Sequence, residues 1–84
     1  MNLILYFTAD YCSPCQAMKP AFIDLMQEQG LKYEIVDVME NKEARQKYKV
    51  MGVPTIIVTN DGEIVGRVTG SRSREQLLKL IKGE

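Results

Sequence analysis

The chain carries two cysteines, Cys12 and Cys15, inside the segment "ADYCSPCQAMKP", Ala9 to Pro20. Three kinds of chemistry compete for such a pair. A disulfide between residues so close closes a very small loop and removes little entropy from the unfolded chain, so it makes a poor staple. A tetrahedral zinc site needs four ligands, usually Cys or His. With no histidine and only 2 cysteines, a metal site here would need a dimer donating one pair from each chain. The third possibility, a dithiol–disulfide couple, has the placement it needs. Cys12 stands just before a helix expected from Ser13 or Pro14, where free N–H groups and the positive dipole end favour an anion. That lowers a thiol's pKa, and the thiolate is the reactive form. Cys15, one turn inside, is shielded by the helix. An exposed thiolate beside a shielded partner suits two-step disulfide exchange.

The elements around the pair support that placement. "NLILYF", Asn2 to Phe7, reads as a short buried strand with a continuous apolar run. Pro14 fits the first helical turn, where its missing N–H is no loss. Ala17, Met18, Ala21, Phe22, Leu25 and Met26 fall at helical spacing, Pro20 is expected to kink the helix, and Gly30 to end it. "LKYEIVDV", Leu31 to Val38, is a second strand, parallel to the first through a right-handed crossover. "NKEARQKYK" predicts a short helix capped by Asn41. "PTIIVTNDGEIVGRVTG" predicts two strands around an Asp61-Gly62 turn. Ser73 and Gln76 have capping-box spacing ahead of Leu77, Leu78, Leu80 and Ile81, which give a last helix. Cys-x-x-Cys alone is a weak signal; at a helix start within a βαβ unit it is much stronger.

The totals bound the rest. Eighty-four residues make one domain, 1–84, with 45% hydrophobic and 26% charged residues. A chain of this size buries roughly 60–70% of its unfolded surface, enough for one modest core. Eleven basic residues balance 11 acidic ones, so nothing points to nucleic acid or an anionic membrane. Arg67, Arg72 and Arg74 sit among Glu63 and Glu75 and read as a solvated face. Met1 leads straight into "NLILYF", too short for a signal-peptide core and without a basic flank. No apolar run is long enough to span a bilayer. The expected location is the cytoplasm, where paired cysteines are more often catalytic or metal-binding than structural.

The whole order resembles the thioredoxin fold. "YCSPC" is similar to the thioredoxin "WCGPC" motif, and Pro20 stands where that family carries the proline of its active-site helix. "GVPT", Gly52 to Thr55, resembles the family's cis-proline loop, which makes Pro54 the expected cis-proline and Val53 the residue that pairs by its backbone with an extended substrate. "DGEIVGRVTG" followed by "SRSREQLLKLI" resembles the C-terminal hairpin and last helix, with Gly70 lining the substrate groove. The middle, "LKYEIVDVMENKEARQKY", looks more like glutaredoxins and the related small electron donors to ribonucleotide reductase. The chain also starts at the strand before the motif, as glutaredoxins do.

The resemblance implies an α/β, thioredoxin-like fold with a four-stranded mixed sheet flanked by helices. It implies a monomeric protein-disulfide reductase with Cys12 as nucleophile, Cys15 as resolving thiol and no bound cofactor. Tyr11, Met51, Val53, Pro54 and Gly70 would form an apolar lip for disulfide-containing protein substrates, and electrons would come from thioredoxin reductase or a similar donor. The rival implication is a glutathione-dependent reductase, with Arg72 or a serine of "GSRS" meeting the tripeptide carboxylate. Four positions depart from the pattern. Tyr6 replaces a buried aspartate and Ile35 its lysine companion; Tyr6 either orients a proton near Cys15 or fills the core with its hydroxyl satisfied locally. Ser13 replaces a glycine and can cap the helix, donate toward the Cys12 sulfur, or stand as a neutral exposed residue. Tyr11 replaces a tryptophan as a flat apolar contact.

Overall fold

The computed structural model describes residues 1–83. The element order is β1 (Asn2–Thr8), α1 (Ser13–Glu28), β2 (Lys32–Asp37), α2 (Lys42–Lys47), β3 (Thr55–Asn60), β4 (Glu63–Thr69) and α3 (Arg74–Lys82). The four strands form one sheet in the order β2-β1-β3-β4. β1 pairs parallel with β2 and antiparallel with β3, and β3 pairs antiparallel with β4. The sheet is therefore mixed, as the order of elements predicts.

The two central strands explain the continuous apolar runs. Side chains alternate across a sheet, so a strand covered on both faces is apolar at every position. Ile4 and Tyr6 of β1, with Ile56 and Val58 of β3, face a cluster with Met18, Phe22, Leu25, Met26 and Leu77 from α1 and α3. Leu5, Phe7 and Ile57 face the opposite cluster with Val36, Val38 and Val50, against which Ala44 of α2 and Tyr48, its C-terminal cap, pack. Phe22 stands between Tyr6 and Tyr33, with ring centroids 4.7 and 5.8 Å away. The edge strands carry exposed charges, Lys32 and Glu34 on β2 and Glu63 and Arg67 on β4, which discourage pairing with another chain.

Termini and turns follow from local chemistry. α1 ends in a Schellman motif: Leu31 N–H donates to Met26 O and Gly30 N–H to Gln27 O, with Gly30 at φ 64. The helix runs continuously through Pro20. Asp61 and Gly62 both have positive φ, the requirement of a type I′ hairpin turn. α3 begins with the full capping box of Ser73 and Gln76. Gly66 lets α3 approach β4, since a Cβ there would lie 2.9 Å from Leu80 Cδ1. Two expectations on α1 differ from the structure: Ala17 and Ala21 are exposed, and the buried face is Cys15, Met18, Phe22, Leu25 and Met26. Alanine is small enough to sit on either face, so its position in an apolar stripe fixes little.

Candidate active site

β1 delivers the chain to the C-terminal end of the sheet, and a tight turn then starts α1. Cys12 N–H donates to Ala9 O at 3.1 Å and the Gln16 side chain donates to the same oxygen, which holds the turn shut. The helix cap is Cys12 itself. Its backbone is extended, and its sulfur accepts the Cys15 N–H at 3.2 Å. An N-cap ordinarily offers an oxygen to the free N–H groups of the first turn. Here a sulfur takes that place, at the positive end of the helix dipole, where negative charge is favoured. Of the readings open for Ser13, cap, donor to this sulfur or neutral exposed residue, the structure shows the last: it occupies the first helical position and is exposed, with Pro14 next to it. The cap falls to Cys12 because its extended backbone precedes the first helical residue.

Cys12 and Cys15 are joined as a disulfide, with Cα atoms 5.2 Å apart. Their exposures differ: Cys12 is 7% accessible and Cys15 0%. Beneath them lies Tyr6, whose hydroxyl donates to Cys15 O at 2.7 Å. The phenol is thus satisfied locally, through the backbone of Cys15 and not through its sulfur. Burial pushes its pKa up from 10.0 to about 12, so it stays a protonated donor. Ile35 pairs with Tyr6 in the β1–β2 register and lies half-open at the edge of the sheet.

The second wall is the loop before β3. The Val53–Pro54 bond is cis and Pro54 is buried. Thr55 Oγ1 donates to Gly52 O at 2.5 Å and meets Thr69 Oγ1 at 3.2 Å, closing the loop against β4. Gly70, at φ 95, donates its N–H to Pro54 O at 2.8 Å, which places it beside the proline. Tyr11 and Met51 project outward, 72% and 90% exposed. Tyr11, Met51 and Val53 line a single hollow together with Val38 and Arg45. Of the residues expected to form an apolar lip, Tyr11, Met51 and Val53 share this hollow, while Pro54 and Gly70 meet each other through the Gly70 N–H.

Two supports escaped the sequence. Thr55 is one, and its neighbour in the "GVPT" segment was the only hint. Arg67 is the other: it reaches from β4 to the carbonyls of Tyr48 and Lys49, holding the end of α2 and the chain that leads to Met51. Nothing in the local sequence links residues so far apart. Arg72 folds back onto Ser71 O and its N–H donates to Met18 Sδ, so it does not reach out toward a ligand carboxylate. Among the described residues no three His, Cys, Asp or Glu side chains gather as a metal cluster. No helix of the described chain is long and apolar enough to cross a membrane.

Comparison with known proteins matches this geometry. The thioredoxin family model covers residues 1–83. A Bacillus subtilis thioredoxin is 43% identical over 77 residues, spanning 89% of this chain and 74% of that protein. Among solved structures, a Fasciola hepatica thioredoxin superposes with a TM-score of 0.90 at 31% identity, covering 98% of this chain and 79% of its own. Thioredoxin 1 of Thermosipho africanus gives 0.88 at 28% identity, covering 96% and 91%. The glutaredoxin-like middle is not favoured by these matches, which run through it as thioredoxin. With its Cys12–Cys15 pair at disulfide distance on this fold, the chain belongs to the thioredoxin family and is a protein thiol–disulfide oxidoreductase.

Proposed function

We propose that the protein reduces disulfides of other proteins with Cys12 as the nucleophile and Cys15 as the resolving thiol. The observation that carries this assignment is the asymmetry of the pair: Cys12 keeps 7% of its surface accessible and its sulfur accepts a helix N–H, while Cys15 is fully buried. In the reduced protein, the Cys12 thiolate attacks one sulfur of a substrate disulfide. The substrate S–S bond breaks, a Cys12–substrate disulfide forms, and the other substrate sulfur leaves as a thiolate that takes a proton. Cys15, as thiolate, then attacks the Cys12 sulfur. The mixed disulfide breaks, the Cys12–Cys15 bond forms, and the second substrate thiol departs. Two electrons and two protons pass from protein to substrate.

The substrate lies as an extended segment across Tyr11, Val53, Pro54 and Gly70, with Met51 beside it. Among the described residues neither backbone polar group of Val53 is engaged, so both are free to pair with such a segment. Pro54 supplies no competing N–H. The direction is reduction, as expected for a cytoplasmic monomer of one domain, and the electrons come from thioredoxin reductase or a donor like it. Replacing Cys15 tests the roles. Cys15→Ser is expected to accumulate a substrate-linked mixed disulfide visible on non-reducing gels, while Cys12→Ser traps nothing. Trapping by Cys12→Ser alone would reverse the assignment.

A further inference from the structure

α2 and the loop after it form a hollow lined by basic residues, on the side of Met51. A cavity of about 430 Å3 is lined by Lys42, Arg45, Gln46, Lys49, Val50 and Met51. Arg45, Val50 and Met51 also line the hollow that continues to Tyr11 and Val53. The two spaces are neighbours that share these three residues as a common wall. The lining of the first holds three cations and no carboxylate. Among the described residues no carboxylate comes within 4.0 Å of the charged groups of Lys42, Arg45 or Lys49.

The arrangement is braced. Arg45 Nε donates to Val50 O at 3.3 Å, and no other hydrogen bond among the described residues engages the guanidinium, whose terminal nitrogens remain free to bind. Arg67 fixes the carbonyls of Tyr48 and Lys49 from the sheet side. α2 ends in a Schellman motif, with Val50 N–H on Arg45 O and Lys49 N–H on Gln46 O. The position that ordinarily takes glycine is Lys49, at φ 53. A left-handed lysine is disfavoured where glycine would be free of strain. Such an outlier at the rim of a cavity motivates a functional reading.

We propose that this hollow is an anion subsite for the protein substrate: it takes an Asp or Glu side chain lying a few residues from the disulfide that Cys12 attacks. The inference rests on the reading that an extended substrate crosses Tyr11, Val53 and Pro54. Met51 bridges the two regions with a flexible thioether suited to varied partners. The chain has no net charge, so a preference for acidic substrates must arise locally and not from the field of the whole molecule.

The test uses synthetic peptides with one intramolecular disulfide and a single Glu, Gln or Lys placed in turn at successive positions on either side of it. The readout is the ratio of kcat/KM for the Glu and Lys peptides at each position. The wild-type protein is expected to prefer Glu about two- to fivefold at one or two adjacent positions, with the ratio falling toward one at high salt. The double variant Lys42→Glu/Arg45→Glu is expected to invert the ratio. Lys49→Gly, which removes a charge while relieving the backbone, is expected to lower it. Lys79→Glu on α3 is expected to leave it unchanged. A ratio near one at every position, or a preference that survives Lys42→Glu/Arg45→Glu, would overturn the subsite while leaving the groove intact. Failure to reduce even the Gln peptides would overturn the groove and the subsite together.

Discussion

Tyr6 meets Cys15 through a hydroxyl and a carbonyl, so its contribution is to hold the first turn of α1 in place, not to exchange a proton with sulfur. Tyr6→Phe is expected to cost about 1 kcal/mol of stability, the typical net worth of one hydrogen bond. The rate of disulfide exchange should change less than about twofold, because no proton passes through this group; a loss of orders of magnitude would assign it a direct catalytic part. Its pH signature also has a definite sign. In the unfolded chain the phenol ionises near 10.0, and in the folded protein near 12. Between those values the folded state holds the proton more tightly, so stability falls as pH rises from 10.0 toward 12. Denaturant midpoints of the wild type and Tyr6→Phe should therefore converge as pH rises through that window. Gly70 is the other residue whose role is local. At φ 95 it has a backbone that side chains rarely adopt, and it donates to Pro54 O. Gly70→Ala is expected to cost about 1–2 kcal/mol and to raise KM for a protein disulfide, read by melting and by steady-state reduction.

At the scale of elements, the parts that sequence reveals are those set by local chemistry. The Asp61-Gly62 turn and the Ser73–Gln76 capping box depend on residues a few positions apart, and each is present as its residue types require. Ser73→Ala should lower stability by about 1 kcal/mol without altering disulfide exchange, since α3 packs on the core away from the cysteines. Phe22→Ala removes a side chain buried between Tyr6 and Tyr33 and should cost about 3–5 kcal/mol, measured by denaturant unfolding. What sequence conceals comes from contacts between distant segments. Arg67 reads as one charge on a solvated face until β4 is seen beside the end of α2. Ser13 looks like the better cap by residue type, but the backbone places Cys12 at the cap and gives its sulfur the N–H. Lys49 carries no turn signal, yet takes the left-handed position because the cap bonds of α2 require it. The candidate site was legible where a short motif fixes it, at Cys12, Cys15, Pro54 and Gly70, and illegible where the fold assembles its supports.

At the scale of the molecule, the redox pair sits where β1, α1 and the Pro54 loop converge at one end of the sheet. Cys12 and Cys15 belong to the cluster that also holds Phe7, Ala9 and Val36, so the rigid core reaches up to the reacting sulfurs. Groups held this firmly suit exchange in which sulfur must approach sulfur in line. The same placement leaves Cys12 slightly accessible, at 7%, and Cys15 fully buried. The central claim is that Cys12 and Cys15 form a reversible two-electron couple poised to reduce. Equilibrium titration of the pair in glutathione buffers of graded potential, followed by thiol trapping and mass measurement, tests it most directly. A reducing couple gives a cooperative two-electron transition near the reducing end of the family, about −270 mV. A midpoint near −120 mV would make the protein an oxidant, and failure to form the intramolecular disulfide at any potential would contradict the redox assignment itself.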